Sequence, residues 1–205
     1  MASWRPRITA DSPRLFDNDI LELLSRTHPA VVVILYLPLS LYLFSYSVRK
    51  AGVGIGMSVF LVVAGAAAWT LVEYWLHRSV MHWIPEADWG SRMHFWVHGI
   101  HHEWPNDPLR LVMPPSVSLF LFFFFLGGFY LFSPKYCWSF HAGFTAGYVV
   151  YDLTHYWYHH HRPRSVWAQN LQRHHLRHHF NKKYDERNFA ITVPFWDRLF
   201  GTDRP

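Results

Sequence analysis

The chain alternates between long apolar stretches and polar stretches rich in histidine and arginine. The apolar stretches cover residues 30–48, 53–76, 111–133 and 136–153. The first three match the roughly 20 residues that a helix needs to cross a bilayer, so they predict membrane-spanning helices. The fourth is shorter and contains glycines, so residues 111–153 are compatible with two spans or with one span and a re-entrant hairpin.

The residues before the first apolar stretch form a separate segment. Within it, residues 17–24 predict a short amphipathic helix on the bilayer surface, and a solvated tail is the alternative. We therefore expect an N-terminal interfacial segment, residues 1–29, followed by one membrane-embedded domain, residues 30–205. Pro38 predicts a kink in the first span.

Composition agrees with a membrane protein once the averages are resolved along the chain. Hydrophobic residues make up 51% of the 205 residues, yet the mean hydropathy is only -0.02, because the polar stretches offset the apolar ones. The net charge of +5 comes from residues between and after the apolar stretches, with no separate basic arm. This arrangement favours an anionic membrane surface as partner and argues against nucleic acid. Cys137 is the only cysteine, so an internal disulfide is excluded.

The distribution of charge predicts the orientation in the membrane. With four crossings, the N-terminus, the segment after the second span and the C-terminal tail share one side, and this side holds 16 of the 19 Lys and Arg residues. The positive-inside rule places such a side in the cytosol. We expect a multi-pass protein of the endoplasmic reticulum membrane in a eukaryote, or of the inner membrane in a bacterium.

Histidines form four groups at or just beyond the ends of apolar stretches. The groups are His77 and His82; His98, His101 and His102; His155 and His159; and His175, His178 and His179. Two groups share the pattern H-x-x-H-H, which places three imidazoles on one helical face. The spacing of five between the first two histidines does not fit one α-helical face and predicts that the helix loosens or bends between them.

Ten imidazoles with almost no thiol favour two five-coordinate metal ions over a structural zinc site. Imidazole binds Zn, Cu, Ni and Fe, so the reaction must identify the metal. If the reaction breaks an unactivated C–H bond, it needs a redox-active metal, and a centre of this kind would hold two iron ions with O2 as oxidant and zinc only as a substitute in a purified sample. A membrane metal transporter is the rival class, but the spans are almost free of charge until Glu73 and Asp152 near their ends.

Other polar side chains near the histidine groups are candidates for outer roles. Asp152, three residues before His155, is a candidate for orienting a ligand imidazole. His94, four residues before His98, is a candidate ligand or outer donor. The remaining histidines are expected to stay outside the site: His28, His141, His160, His161 and His174.

These motifs resemble the fatty acid hydroxylase branch of the sterol desaturase and fatty acid hydroxylase superfamily, and within it the fatty acid 2-hydroxylases. The resemblance rests on five segments that follow in order along nearly the whole chain: residues 73–82, 94–102, 110–115, 147–156 and 195–202. We therefore expect an all-α integral membrane protein with about four transmembrane helices and a cytosolic helical cap that holds a histidine-rich dimetal site.

The resemblance also implies an activity and a donor of electrons. It implies hydroxylation of the carbon next to the carbonyl of a long acyl chain, in a fatty acid or in a sphingolipid such as ceramide. Electrons would come from cytochrome b5 and its reductase, and the 29 residues before the first span are too few for a fused haem domain, so a separate donor is expected. A sterol, carotenoid or sphingoid-base oxidase of the same superfamily is the alternative.

By similarity, the ten histidines divide into two ligand sets. One metal would be held by His77, His82, His98, His102 and His178. The other would be held by His101, His155, His159, His175 and His179. Adjacent histidines would then reach different metals, because neighbours on a helix diverge by about 100°.

Overall fold

Every regular element in the part of the chain that the computed structural model describes, residues 11–184 and 186–203, is helical. In chain order the elements are α1 (Asp19–Leu24), α2 (Pro29–Arg49), α3 (Ile55–Leu76), the π-helix π1 (His77–Met81), α4 (Gly90–His94), the π-helix π2 (Phe95–Gly99), α5 (Ile100–Glu103), α6 (Pro115–Phe132), α7 (Cys137–His160), α8 (Val166–Phe180) and α9 (Phe195–Leu199). The predicted all-α class is confirmed.

Three helical segments among the described residues are long and apolar enough to cross a membrane. They are α2, the continuous segment Ile55–Met81 formed by α3 and π1, and α6. Most of the surface of each is not covered by protein, as expected for side chains that face lipid.

Helix α7 completes the bundle but is more polar than the other three. It has 24 residues, so it is about 36 Å long and could also cross the hydrocarbon core. It packs mainly against α3 and α2, and also against α6. Polar side chains along it, such as Ser139 and Thr145, are buried within the protein. Helices α6 and α7 are separate, and only α6 belongs to the apolar segments of membrane length, so a fourth span stays a prediction.

The helix boundaries follow the sequence pattern with one correction. The third span was expected to begin at residue 111, but α6 begins at Pro115, because prolines suit the first turn of a helix and not its interior. Leu111 and Val112 are instead buried outside any helix. Helix α2 continues through Pro38, and α1 forms within the expected range 17–24, capped by the side chain of Asn18.

Glycines allow α3 and α7 to approach each other closely. A Cβ atom on Gly143 would lie 1.9 Å from the carbonyl oxygen of Val62, and one on Gly65 would lie 2.0 Å from that of Phe140. The two backbones are therefore in contact, a packing mode that small residues permit in membranes. This contact fixes α7, and with it His155 and His159, relative to α3 and π1.

The shorter elements form a cap over the end of the bundle where π1 and α7 terminate. The cap consists of residues 82–110, 161–184 and 186–203. Side chains of the cap reach both helix ends, for example from His101 to His155 on α7 and from His98 to His77 on π1. The predicted cap that carries histidines is thus part of the fold.

Replacement of Gly143 by Ala should destabilise the protein, because the added methyl group would collide with the backbone of α3. Overpacking of this kind costs about 1–3 kcal/mol, which should lower the thermal unfolding midpoint in detergent. Gly128→Ala on α6 is the matched control, since a Cβ atom there meets nothing within 4 Å. Equal midpoints for the two variants would contradict the packing described for α3 and α7.

Candidate metal centre

The structure brings the ten predicted ligand histidines together in two clusters of five. The first cluster contains His77, His82, His98, His102 and His178. The second cluster contains His101, His155, His159, His175 and His179. Within each cluster, one ring nitrogen from every histidine lies within 4.8 Å of the others. The membership equals the two sets that the resemblance implied, and metal binding by them stays a prediction.

A π-helix resolves the spacing of five between the first two histidines. The backbone N–H of His82 donates to the carbonyl of His77 over 3.2 Å, so the hydrogen bond joins residues five apart. In an α-helix these side chains would diverge by about 140°, whereas the wider π turn returns both to the first cluster. The helix therefore loosens where the sequence predicted that it would.

The two H-x-x-H-H trios interleave between the clusters. In the first trio, His98 and His102 join the first cluster and His101 joins the second. In the trio on α8, His178 joins the first cluster, and its neighbours His175 and His179 join the second. Where the clusters adjoin, the rings of His102 and His179 stack with their centroids 4.2 Å apart.

The ring nitrogens of the first cluster lie within hydrogen-bonding distance of their neighbours. The Nε2 atom of His98 lies 3.0 Å from that of His77 and 2.8 Å from that of His102. The Nε2 atom of His178 lies 3.0 Å from that of His82 and 3.1 Å from that of His102.

Two carbonyl groups identify which nitrogen of these rings carries the proton. The Nδ1 atom of His77 lies 2.6 Å from the carbonyl oxygen of Phe189, and that of His178 lies 2.7 Å from the carbonyl oxygen of Arg187. A carbonyl only accepts, so both Nδ1 atoms donate, and in a neutral ring Nε2 presents a lone pair. Both lone pairs point into the cluster toward the Nε2 atoms of neighbouring histidines. Several neutral imidazole nitrogens that converge in this way are the donor set of a metal ion, so the residues present fit one.

The second cluster has the same close packing. The Nε2 atoms of His101 and His155 are 3.0 Å apart, and those of His159 and His175 are 2.8 Å apart. Both ring nitrogens of His179 are buried without a hydrogen-bond partner. A buried imidazole without any polar partner is costly, and a metal ion would satisfy it.

Burial keeps the cap histidines in the form that binds metals. Loss of hydration, helped by neighbouring histidines, holds the pKa of His98, His101 and His102 well below the usual range. The same cause lowers the pKa of His175 and His179. These rings are therefore neutral near pH 7, and neutral imidazole is the ligand form.

Two buried carboxylates fix the loop that holds the first cluster. We call residues 187–192 the C-terminal loop. Its carbonyl groups accept hydrogen bonds from His77 and His178. Glu73 on α3 accepts from the backbone N–H groups of Ile191 and Thr192 over 2.7 and 2.8 Å. At the other side of the loop, Asp197 on α9 accepts from the backbone N–H groups of Phe189 and Ala190, both over 2.9 Å.

Neither carboxylate has a role that the sequence pattern predicts. Both lie in segments that carry the family resemblance, and Glu73 is also a charge near the end of a span. A carboxylate at the exit of an apolar helix was the available signal for Glu73, because such a charge needs partners. Its partners lie 118 and 119 residues further along the chain, so the pattern alone did not identify them.

Asp152 and His94, the two residues predicted to support the ligands, do not contact the predicted ligand rings by hydrogen bonds. Asp152 accepts from the Tyr148 hydroxyl over 2.9 Å and from the backbone N–H of Met113 over 3.2 Å. The Nδ1 atom of His155 has no hydrogen-bond partner, so the prediction that Asp152 orients this ligand ring is wrong for this structure. His94 belongs to neither cluster, and its ring centroid is 6.4 Å from that of His82.

The histidines that were expected to stay outside the site also belong to neither cluster. His174 bonds instead to Asp197 over 2.8 Å, His28 caps α2, and His141 is buried in α7 beside Phe122. His160 and His161 end α7 and begin the link to α8.

A large apolar cavity of about 540 Å³ reaches both clusters. At its inner end lie His98 from the first cluster, and His101 and His155 from the second, together with Asp152. The walls come from the ends of α3 and π1, the start of α6, the segment Arg110–Pro114, and residues near α1. The cavity thus connects a long apolar space to the point where the two clusters adjoin.

Comparison with known proteins agrees with this site. Residues 62–202 match the sequence model of the family described as fatty acid hydroxylase. This match covers more than half of the chain, so the chain belongs to the fatty acid hydroxylase family, and the resemblance stated from the motifs is confirmed.

Named relatives lie within the same family. The chain is 38% identical over 199 residues to "Dihydroceramide fatty acyl 2-hydroxylase FAH1" of Arabidopsis thaliana, covering 97% of this chain and 83% of that protein. It is 40% identical over 151 residues to "Ceramide very long chain fatty acid hydroxylase SCS7" of Saccharomyces cerevisiae, covering 71% of this chain and 38% of that protein. A solved structure described as full-length scs7p, with only the hydroxylase domain visible, superposes with a TM-score of 0.83 at 35% identity, covering 91% of this chain and 70% of that chain.

Replacement of Asp197 by Asn should weaken metal binding in the first cluster. The amide keeps one acceptor oxygen, but its NH₂ group replaces the other and cannot accept from a backbone N–H of the C-terminal loop. The loop then loses its fixed position behind His77 and His178. Loss of an outer hydrogen bond of this kind lowers metal affinity about 10- to 100-fold. The measurement is the metal-to-protein ratio after dialysis against a chelator, with the exposed Asp88→Asn as control. Equal metal retention in both variants would contradict this role.

Proposed function

We propose that this protein is an O2-dependent di-iron 2-hydroxylase of long acyl chains, carried by fatty acids or ceramides. The observation that supports it best is the apolar cavity, which is lined by histidines of both clusters. An acyl chain in this cavity would present the carbon beside its polar end to the metals. The printed names of the relatives, dihydroceramide fatty acyl 2-hydroxylase and ceramide very long chain fatty acid hydroxylase, support the same reaction.

In this proposal the ten clustered histidines hold two iron ions, and zinc is a substitute without the activity. Iron, when bound, supplies the redox chemistry that breaks an unactivated C–H bond with O2. One oxygen atom enters the C–H bond as a hydroxyl group, the other leaves as water, and two electrons and two protons are consumed. A separate cytochrome b5 with its reductase is the proposed electron donor.

The chain's own contribution is to position the acyl chain and exclude water. The apolar walls favour the methylene chain by about 25 cal/mol for each Å² of apolar surface removed from water. The inner end of the cavity is closed by four polar side chains: His98, His101, His155 and Asp152. The acyl chain can therefore enter only until its polar end reaches these groups. Selectivity for the nearest methylene then follows from fixed placement.

The proposed location is the endoplasmic reticulum membrane of a eukaryote or the inner membrane of a bacterium, with the cap in the cytosol. Support comes from the three apolar helices and from the Lys and Arg residues, which concentrate on the side of the cap. A cytosolic cap would also be accessible to the haem domain of the electron donor.

Expression of the chain in cells that lack 2-hydroxylation should produce 2-hydroxy acyl chains, detected by lipid mass spectrometry. His178→Ala should lower this product at least about 100-fold, since His178 lies in the first cluster and its Nε2 atom is close to two others. His28→Ala, at the start of α2, is the control for expression and folding. Wild-type product levels from a folded His178→Ala protein would overturn the proposed site.

Single cysteines should reveal the orientation in sealed microsomes whose outer surface is the cytosolic face. Cys137 is buried and gives little background. A membrane-impermeant maleimide should label Lys183→Cys in the cap without detergent and should label Lys135→Cys, between α6 and α7, only after permeabilisation. The reverse pattern would place the cap on the other side.

A further inference from the structure

A segment before the first span is tied to the cap by a buried ionic network. We call residues 12–27 the N-terminal strap. Glu22 on α1 contacts Nη2 of Arg110 over 2.5 Å and Nε of Arg26 over 2.8 Å. The side chain of Arg110 is 1% exposed, so its pairing with Glu22 is shielded from water and is strong.

Further polar contacts follow the strap along its length. Ser12 donates to Asp107 over 2.5 Å, and Ser25 accepts from Arg110 over 2.9 Å. The backbone N–H of Thr27 donates to the carbonyl of Leu109 over 2.7 Å. All three cap residues lie between positions 107 and 110, directly before the segment that forms a wall of the large cavity.

The apolar side of the strap closes this cavity. Leu15, Phe16, Leu21 and Leu24 line it, and the ring of Phe16 lies 5.2 Å from that of Trp96 on the opposite wall. Leu21 and Leu24 also remain about half exposed on the outer surface. Residues that line a cavity and are exposed at the same time mark its mouth, so the mouth lies at α1.

The mouth is mostly apolar around its rim. Besides Leu21 and Leu24, the exposed residues that line the cavity are Val80, Trp96, Val97, Val117 and Phe120, with Ser116 as the one polar side chain among them. On the other side of α1, Ile20 and Leu23 are 69% and 71% exposed. A rim of this composition suits lipid and not water, and it lies beside the first turns of the membrane helix α6.

We propose that the N-terminal strap is the movable wall through which the acyl lipid passes from the bilayer into the cavity, and that the Glu22–Arg110 pair is its latch. The inference rests on the proposed function for the identity of the lipid. Helix α1 has only six residues and is too short to be stable without its contacts. The family match covers residues 62–202, so the strap lies outside the part that defines the family.

The latch also acts on the position of the substrate. Arg110 begins the wall segment Arg110–Pro114, and Met113 in that segment donates to Asp152 at the inner end of the cavity. A strap held by Arg110 therefore fixes one continuous wall from the mouth to the clusters. Glu22 and Arg110 are positioning residues in this view and do not contact the reacting atoms.

The test compares Glu22→Gln with Asp19→Asn in the full-length protein, reconstituted in nanodiscs. Asp19 lies on the same helix, but its ion pair with Arg14 is exposed. Glu22→Gln should raise hydrogen exchange in residues 15–27 about tenfold, the effect of losing one charge-assisted hydrogen bond, and leave exchange in residues 166–180 unchanged. It should also raise KM for C16 dihydroceramide severalfold, with kcat within about twofold. Asp19→Asn should change none of these.

Two outcomes would overturn the proposal: unchanged exchange in the strap of Glu22→Gln, or faster exchange with unchanged KM. Ser12→Ala is a milder second variant in case Glu22→Gln does not fold, and it should raise strap exchange about threefold with a smaller rise in KM. If the wild-type protein hydroxylates no acyl lipid, the proposed function fails, and the exchange data still decide whether Glu22 holds the strap.

Discussion

The structure depends on the close packing of ten imidazoles whose ring nitrogens converge in two clusters. In the first cluster neighbouring Nε2 atoms lie 2.8–3.1 Å apart, and two of the rings must direct lone pairs inward because their Nδ1 atoms donate to carbonyl groups. A cation bound between these rings would accept several lone pairs at once. Folding of the cap and binding of metal would therefore be coupled, since the free energy of binding would also stabilise the fold.

The backbone around the clusters is shaped to hold this packing. Two π-helices, which are uncommon in proteins, occur within 25 residues of each other, at residues 77–81 and 95–99. The C-terminal loop includes Asn188 at a φ of 55°, a left-handed conformation that asparagine tolerates better than most residues. Asp197 and Glu73 accept from the N–H groups of the four residues that follow Asn188, so the carbonyl groups of this loop stay directed at His77 and His178.

The sequence predicted the parts of the fold that depend on local pattern. Apolar length identified the spans, and histidine spacing identified the ten clustered residues, because both properties are visible over a few helical turns. The spacing of five also indicated the loosened helix at His82. The second π-helix had no such signal, since the spacing of His94, His98 and His102 fits an α-helix.

Contacts between distant polar residues were not predictable in this way. Glu22 and Arg110 are 88 residues apart, and Glu73 meets a loop near the C-terminus. Neither pairing leaves a periodic trace, because each depends on how the helices are arranged and not on the local sequence. Asp152 shows the opposite error: its spacing from His155 suggested a contact, but its carboxylate turns toward Tyr148 one helical turn earlier.

Interleaving of the trios has a consequence for the behaviour of the two ions. Helix α8 carries ligands of both clusters, as does the short segment from His98 to His102. A small rotation of either element displaces donors from both ions at once, so neither site can be adjusted alone. With metal in both clusters, occupancy of one site would change the affinity of the other by the same factor in both directions, so the two sites would load as a coupled pair and not independently.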